Sequence, residues 1–168
     1  GRAVLGVVHL PCEQITYAAA EGHGALEIDG EGRERPLRLA PDPPDPERLV
    51  VVISRSHYGK RTRRVVESLH PGMVVVSGSV GRKAAMVAAG RADLYINLGS
   101  RSRHWDACAP DAIVREAGGA FRDAVGRPMV YNTEQTRNTA GLLVCRTGLV
   151  ATVVRAVESV LDVRGPER

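Results

Sequence analysis

One aspartate in this chain stands where a fixed carboxylate could hold a metal ion. Asp106 directly follows Trp105 and precedes an apolar run that is typical of a helix, closed by Gly118 and Gly119. Free N–H groups and the positive end of the helix dipole favour an anion at a helix N-terminus. A carboxylate held there is a suitable ligand for a hard cation such as Mg²⁺. The same residues also allow a plainer interpretation, in which Asp106 only caps its helix.

Six further candidate residues follow two predicted strands, at 49–53 and 73–77. They are Ser54 and His57 after the first strand, and Gly78, Ser79, Gly81 and Lys83 after the second. In open α/β sheets, ligands bind beyond the carboxyl ends of the strands. A glycine-containing turn at a helix start suits an anion, and a lysine one turn into that helix can pair with a phosphate. The glycines could equally form an ordinary strand-to-helix turn. Taken by themselves, His57 and Lys83 would not indicate a binding site.

The elements that must position these residues predict an α/β protein with a largely parallel sheet flanked by helices. Before that sheet come a few antiparallel strands, the remnant of a larger N-terminal sheet, in residues 1–29, and a Pro-rich connector in residues 30–48. From residue 49 to residue 168, strands and helices alternate. Strands are expected at 4–9, 15–20, 24–29, 49–53, 73–77, 94–97 and 142–145, with a short hairpin of 120–122 and 128–131. Helices are expected at 60–69, 80–89, from Asp106 onward and at 149–161.

Composition excludes several classes of protein. The chain has 168 residues and no long apolar run, so no membrane span is expected. Its net charge is +4 and its pI is about 9.3, but aromatic residues are not interleaved with the basic ones, which argues against a nucleic-acid platform. The basic cluster 60–64 is interpreted as a solvated helix face, whereas 101–104 could border a site. Three cysteines without a C-x-x-C pair favour reduced thiols and a cytoplasmic location.

Five segments, taken in order, resemble the inositol monophosphatase superfamily of lithium-sensitive, magnesium-dependent phosphatases. They are the stretches 52–57, 78–83, 90–95, 105–119 and 126–132. Within the fourth of these stretches, 105–119, the sequence Trp-Asp-x-Cys-Ala-Pro is more similar to the 3'(2'),5'-bisphosphate nucleotidase branch than to the inositol enzymes. The resemblance implies that Asp106 is a ligand of Mg²⁺, that Lys83 contacts a substrate phosphate and that His57 contacts the nucleotide.

The first signature of that family, D-P-[ILV]-D-G-[TS], and a metal-binding glutamate upstream of it are absent. The chain is therefore expected to be the C-terminal portion of a longer enzyme. Residues 42–47 place Asp42 and Asp45 at the spacing of the missing signature, but Pro46 and Glu47 stand where the family has Gly and Thr. Because proline has no N–H and a fixed φ, this segment is interpreted as a solvated linker.

The resemblance implies that the complete enzyme removes the 3'-phosphate of adenosine 3',5'-bisphosphate, a nucleotide bisphosphate, to give AMP and phosphate. Two alternatives remain: a phosphatase of the inositol monophosphatase type, and a non-catalytic nucleotide-binding or assembly domain that lacks the acidic metal cluster. The isolated chain is expected to be nearly inactive, because Asp106 is its single family-matched carboxylate. Its first strands lack partners and are expected to pair with the missing N-terminal half or with a second copy in a homodimer.

Overall fold

A computed structural model describes residues 1–42 and 45–162, so that Pro43 and Pro44 of the predicted linker lie outside the described residues. The strands are β1 (Leu5–Leu10), β2 (Ile15–Ala20), β3 (Gly24–Ile28), β4 (Glu34–Leu37), β5 (Val50–Ser54), β6 (Met73–Ser77), β7 (Leu94–Asn97), β8 (Gly119–Arg122) and β9 (Leu142–Arg146). The helices are α1 (Lys60–Ser68), α2 (Val80–Ala88), α3 (His104–Glu116) and α4 (Val150–Asp162), with 3₁₀ turns at Pro46–Arg48 and Thr147–Leu149.

The first sheet is an antiparallel meander in the order β1-β2-β3-β4. Its fourth strand lies within residues 30–48, where the sequence predicted only a connector, so that prediction was wrong for Glu34–Leu37. The strand is hard to recognise because it is short and contains Pro36. A proline is tolerated there because β4 forms the edge of the sheet. Pairing with β3 and the burial of Leu37, which is 3% exposed, hold the strand in place.

The second sheet has the order β6-β5-β7-β9-β8. Strands β6, β5 and β7 pair in parallel, β9 pairs antiparallel with β7, and β8 pairs antiparallel with β9. Only β9 therefore runs opposite to the other four strands, and the predicted α/β fold with a largely parallel sheet is confirmed. The predicted hairpin of 120–122 and 128–131 was wrong: Arg122 and Pro128 form one isolated bridge, and β8 instead pairs with the distant β9.

Four layers result from the way the two sheets bury their faces. Helices α2 and α3 lie between the sheets, in a core that joins Tyr17 of the first sheet to Val52 of the second. Helices α1 and α4 cover the other face of the second sheet, where Val51 and Ile53 are buried. Neighbouring residues of β5 thus enter two different cores. This explains why the strand is apolar throughout rather than alternating.

Helix α3 is fixed against the first sheet at two places, near its middle and at its C-terminal end. A Cβ atom at Gly6 in β1 would collide with the carbonyl oxygen of Ala109, in the middle of the helix, so only glycine allows this close approach. At the C-terminal end, Glu116 Oε2 accepts hydrogen bonds from the backbone N–H groups of Gly22 and Gly24, each at 3.1 Å. None of the described helices combines the length and the apolar character needed to cross a membrane.

Candidate active site

A pocket of about 300 Å³ opens at the carboxyl ends of β5, β6 and β7. We call it the strand-end pocket. Six of the seven candidate residues line it: Ser54, His57, Gly78, Ser79, Lys83 and Asp106. Three strands and the first turns of α2 and α3 thus bring together residues that are up to 52 positions apart in the chain. Gly81 does not line this pocket. A Cβ atom there would lie 3.3 Å from Val8 Cγ1, so Gly81 faces β1 instead.

The turn that opens α2 has an unusual backbone conformation. Ser79, the N-cap residue, has a φ of +55°, and its side chain makes no capping hydrogen bond. The first N–H groups of α2 are therefore free of a side-chain cap, which suits an anion. Gly78 permits a second close approach, because a Cβ atom at this residue would lie 3.1 Å from Arg55 Nη2. The guanidinium of Arg55 consequently lies directly against the turn.

Lys83 is a buried cation at the strand-end pocket, only 2% exposed. Its ammonium donates a hydrogen bond to the Ser79 carbonyl oxygen at 2.5 Å and lies 4.8 Å from the centroid of the Tyr95 ring. Among the described residues no carboxylate pairs with it, and burial lowers its pKa from 10.5 to about 8. A buried charge without a counter-ion is costly. An anionic ligand in the pocket would compensate that cost.

Asp106 is the third residue of α3, which begins at His104. One carboxylate oxygen, Oδ2, accepts a hydrogen bond from the backbone N–H of Arg103 at 2.7 Å and so forms a capping box. The capping interpretation of Asp106 is therefore correct as far as Oδ2 is concerned. The second oxygen remains for another partner, and Asp106 lines the strand-end pocket at the same time. Capping and ligand binding are compatible, because each uses a different oxygen.

Asn138 holds the backbone just before Asp106 through three hydrogen bonds. This residue is 5% exposed, and its Nδ2 donates hydrogen bonds to Ser102 Oγ at 3.1 Å and to the Arg103 carbonyl at 2.9 Å. Its backbone N–H also donates to the Ser102 carbonyl at 3.0 Å. These contacts fix the entry into α3, and with it the direction of the Asp106 carboxylate.

Several lining residues were not among the seven candidates predicted from the sequence. They are Arg55, Ser56, Val80, Tyr95, Asn97, Arg101 and Ser102. Asn97 carried the same signal as Ser54, because it is a polar residue at the carboxyl end of an apolar strand. Arg55 and Ser56 lie between two residues that were identified, and Arg101 belongs to the basic segment that was expected to border the site. Nothing in the sequence distinguished Tyr95 from an ordinary core aromatic.

A second pocket, of about 590 Å³, adjoins the first and shares four of its lining residues: Ser56, His57, Asn97 and Arg101. We call it the outer pocket. Together the two linings contain five cationic side chains, those of Arg55, Lys60, Arg61, Lys83 and Arg101. Asp106 is the single carboxylate that lines either of them. The electrostatic potential of this region is therefore positive and favours an anion.

Asp106 also borders a third concavity, the β1 cleft, of about 320 Å³. Its lining comes from β1, from the start of α2 and from α3, and it includes Gly81 and Trp105. Trp105 is 68% exposed. Asp106 thus stands between the cationic strand-end pocket and an open cleft beside the edge strand of the first sheet.

The described residues fit one part of a Mg²⁺ site. Within residues 1–42 and 45–162, no group of three or more His, Cys, Asp and Glu side chains is placed to hold a metal ion. Mg²⁺ is commonly bound by one or two carboxylates together with phosphate oxygens and waters. Asp106, with one free oxygen beside an anion pocket, suits the role of one such carboxylate. A second protein carboxylate would have to approach Asp106 from beyond the lining of the strand-end pocket, which contains no other carboxylate.

A four-layer α/β fold with an anion pocket and one carboxylate at its strand ends defines the class of the protein. A model of the inositol monophosphatase family matches residues 1–159, and the chain belongs to this family. It is 32% identical over 136 residues to the 3'(2'),5'-bisphosphate nucleotidase CysQ of Escherichia coli K12, covering 81% of this chain and 52% of CysQ. It is 30% identical to 3'(2'),5'-bisphosphate nucleotidase 1 of Rattus norvegicus, in a match that covers 95% of this chain and 52% of that protein.

Solved structures agree with this assignment. The crystal structure of CysQ from Bacteroides thetaiotaomicron, a bacterial member of the same family, superposes with a TM-score of 0.74 at 30% identity, covering 86% of this chain and 58% of that one. The Thermotoga maritima IMPase superposes with a TM-score of 0.78 at 27% identity, covering 98% and 59%. The chain spans about half the length of the curated relatives it matches. The family consists of phosphatases that generally depend on a metal ion, typically Mg²⁺.

Proposed function

We propose that the chain is the C-terminal portion of a magnesium-dependent phosphomonoesterase that removes the 3'-phosphate of adenosine 3',5'-bisphosphate, giving AMP and phosphate. The observation that carries this proposal is the meeting of Asp106 and the buried Lys83 in one pocket. A carboxylate can serve as one ligand of the metal ion, and an unpaired cation can bind an oxygen of the phosphate. The names of the curated relatives support the nucleotide substrate.

Several residues in and beside the strand-end pocket have distinct roles in this reaction. Lys83 and the N–H groups at the start of α2 bind the oxygens of the phosphate that leaves. Arg103 and Asn138 orient the Asp106 carboxylate toward that phosphate. His57, which is exposed at the junction with the outer pocket, contacts the nucleoside. A bound Mg²⁺ would supply charge neutralisation and an activated water.

The complete enzyme would need its N-terminal half next to β1. This strand is one of the two edges of the first sheet, and none of the described strands pairs with its outer side. Val4, just before the strand, and Leu5 and Val7 within it are 57%, 63% and 55% exposed. Exposed apolar strand edges pair readily with other chains. We place the N-terminal half over this edge, where its acidic residues would enter the β1 cleft and reach Asp106. In its absence the same edge would pair with a second copy of the chain.

One observation supports the alternative of an inositol phosphate phosphatase, namely the superposition with the Thermotoga maritima IMPase. The cationic linings of the two adjoining pockets favour a substrate with more than one anionic group.

The proposed cytoplasmic location is supported by three free cysteines, Cys12, Cys108 and Cys145, which are not paired with one another.

The test is phosphate release in millimolar Mg²⁺ by the chain alone and by the chain joined to its N-terminal half. We expect the joined protein to hydrolyse adenosine 3',5'-bisphosphate with a higher kcat/KM than inositol 1-phosphate, and the chain alone to be nearly inactive. Preference for inositol 1-phosphate would select the alternative phosphatase. Absence of hydrolysis by the joined protein, despite nucleotide binding, would select a non-catalytic domain. Strong turnover by the chain alone would show that the chain itself holds enough metal ligands.

A further inference from the structure

The outer pocket is built from α1 and from the loop that follows β7. Thr62, which is 3% exposed, joins the two, because its Oγ1 accepts a hydrogen bond from the Leu98 N–H at 3.1 Å. The first turn of α1 and the loop therefore form a fixed wall rather than two independent surface segments. At about 590 Å³, the space that they enclose is larger than a single phosphate group requires.

The charge of this wall is one-sided. Lys60, Arg61 and Arg101 line the outer pocket, and no carboxylate does. None of these three side chains forms an ion pair with a described residue, whereas Arg82 pairs with Glu13 at 2.7 Å and Arg91 with Glu27 at 2.8 Å elsewhere in the chain. Gathering unpaired cations around one cavity costs electrostatic repulsion, and an anion inside it relieves that repulsion.

The start of α1 adds to the same potential. Its N-cap, Gly59, offers no side chain to the first N–H groups, and the first turn contains no acidic residue. An uncapped helix start carries a partial positive charge. The cluster 60–64 is a solvated helix face, as predicted, because its four basic residues are exposed. Two of them, Lys60 and Arg61, also line the cavity that adjoins the strand-end pocket.

We propose that the outer pocket binds the second, non-reacting anionic group of the substrate, with Lys60, Arg61 and Arg101 as its partners. This inference rests on the proposed function, in which the strand-end pocket holds the phosphate that is removed. Its consequence is selectivity: the site would favour a substrate that carries a second phosphate or sulfate ester over one that carries a single phosphate. His57 and Arg101, which line both pockets, mark the passage between the two anion positions.

The test compares adenosine 3',5'-bisphosphate with adenosine 3'-monophosphate, which differ only in the second phosphate. The protein carries its N-terminal half, and the variants are Lys60→Ala, Arg61→Ala and the double variant. Because the replaced side chains are exposed, we expect the variants to fold normally, and a thermal unfolding scan checks this. The ratio of kcat/KM for the bisphosphate to that for the monophosphate should fall about tenfold for each charge removed. Arg64→Ala, on the same helix but outside the outer pocket, should leave that ratio unchanged.

Binding measured by calorimetry separates the two proposals. If the protein hydrolyses neither nucleotide, the proposed function fails, but the dissociation constants still test the outer pocket. The double variant should then bind the bisphosphate about a hundredfold more weakly than the unchanged protein, with a much smaller effect on the monophosphate. An unchanged ratio, or equal losses for both nucleotides, would overturn the assignment of the second anionic group to this pocket.

Discussion

Replacing Lys83 with methionine should make the protein more stable at neutral pH while weakening its affinity for anions. Lys83 is an unpaired ammonium, 2% exposed, and methionine fills nearly the same volume without a charge. A buried charge that lowers stability is expected where that charge serves binding. The prediction therefore tests whether the ammonium is kept for its ligand rather than for the fold.

The magnitude follows from the pKa of Lys83, which burial lowers from 10.5 to about 8. At about 1.4 kcal/mol for each tenfold change in proton affinity, this corresponds to about 3 kcal/mol. Methionine also loses the hydrogen bond to Ser79 and the contact with the Tyr95 ring, together about 1–2 kcal/mol. The net gain in unfolding free energy at pH 7 is then about 1–2 kcal/mol.

The pH dependence gives the sharper signature. Between about pH 8 and pH 10.5 the unfolded chain still holds the proton on Lys83, whereas the folded protein has released it. Because the unfolded state binds more protons, the contribution of Lys83 to the unfolding free energy becomes more favourable as the pH rises across this window. The penalty is fully present below about pH 8 and is gone above about pH 10.5. The advantage of Lys83→Met should shrink in parallel.

Urea unfolding at pH 7, 9 and 10.5 measures this difference. Other groups that titrate in the same range are present in both proteins, so they cancel in the comparison. Lys60→Met, a change at an exposed lysine, is the matched control and should show no such pH dependence. A Lys83→Met protein that is less stable at pH 7, or a stability difference that is the same at all three pH values, would refute the reasoning.

Three further predictions concern the support of the site. Gly6→Ala should lower the unfolding free energy by more than about 2 kcal/mol, because its Cβ would displace Ala109 and α3, whereas Gly59→Ala, with open space around it, should cost less than about 1 kcal/mol in the same urea titration. Asn138→Ala should lower the unfolding free energy by about 2 kcal/mol, because it removes the two hydrogen bonds that Nδ2 donates to Ser102 and Arg103; thermal unfolding measures this loss. Asp106→Asn, in the protein with its N-terminal half, should lower kcat/KM at least about a hundredfold for every phosphate ester. It should leave Tm nearly unchanged, since the asparagine Oδ1 can still accept the hydrogen bond from the Arg103 N–H.

The position of the strand-end residues could be predicted because the strands of the second sheet are strongly apolar and the turns after them are polar. Residue order alone was enough to place Ser54 and Asp106 at one edge of a sheet. The burial of Lys83 could not be predicted in this way, because α2 lies between two sheets and the first sheet is distant in sequence. The face of α2 that is covered depends on that tertiary packing.

The errors in the fold have related causes. Local signals suggested that β8 would form a hairpin with residues 128–131, but its partner β9 begins some twenty residues later. Non-local pairing leaves no turn signature next to the strand. Strand β4 was missed for a different reason, since Leu37 is its single buried residue and the other three are polar or proline.

Under the proposed function, the distribution of charge around Asp106 suggests how this chain and an N-terminal half would divide the work. The pockets on one side of Asp106 are lined by five cations and no other carboxylate, which suits the binding of substrate anions. A metal ion of charge +2 would be repelled by such a lining unless further carboxylates approach from elsewhere. The β1 cleft is a second approach to Asp106, and the exposed apolar edge of β1 lies beside it. We therefore expect the acidic metal ligands to come from the N-terminal half across that edge, so that this chain contributes mainly the recognition of the substrate.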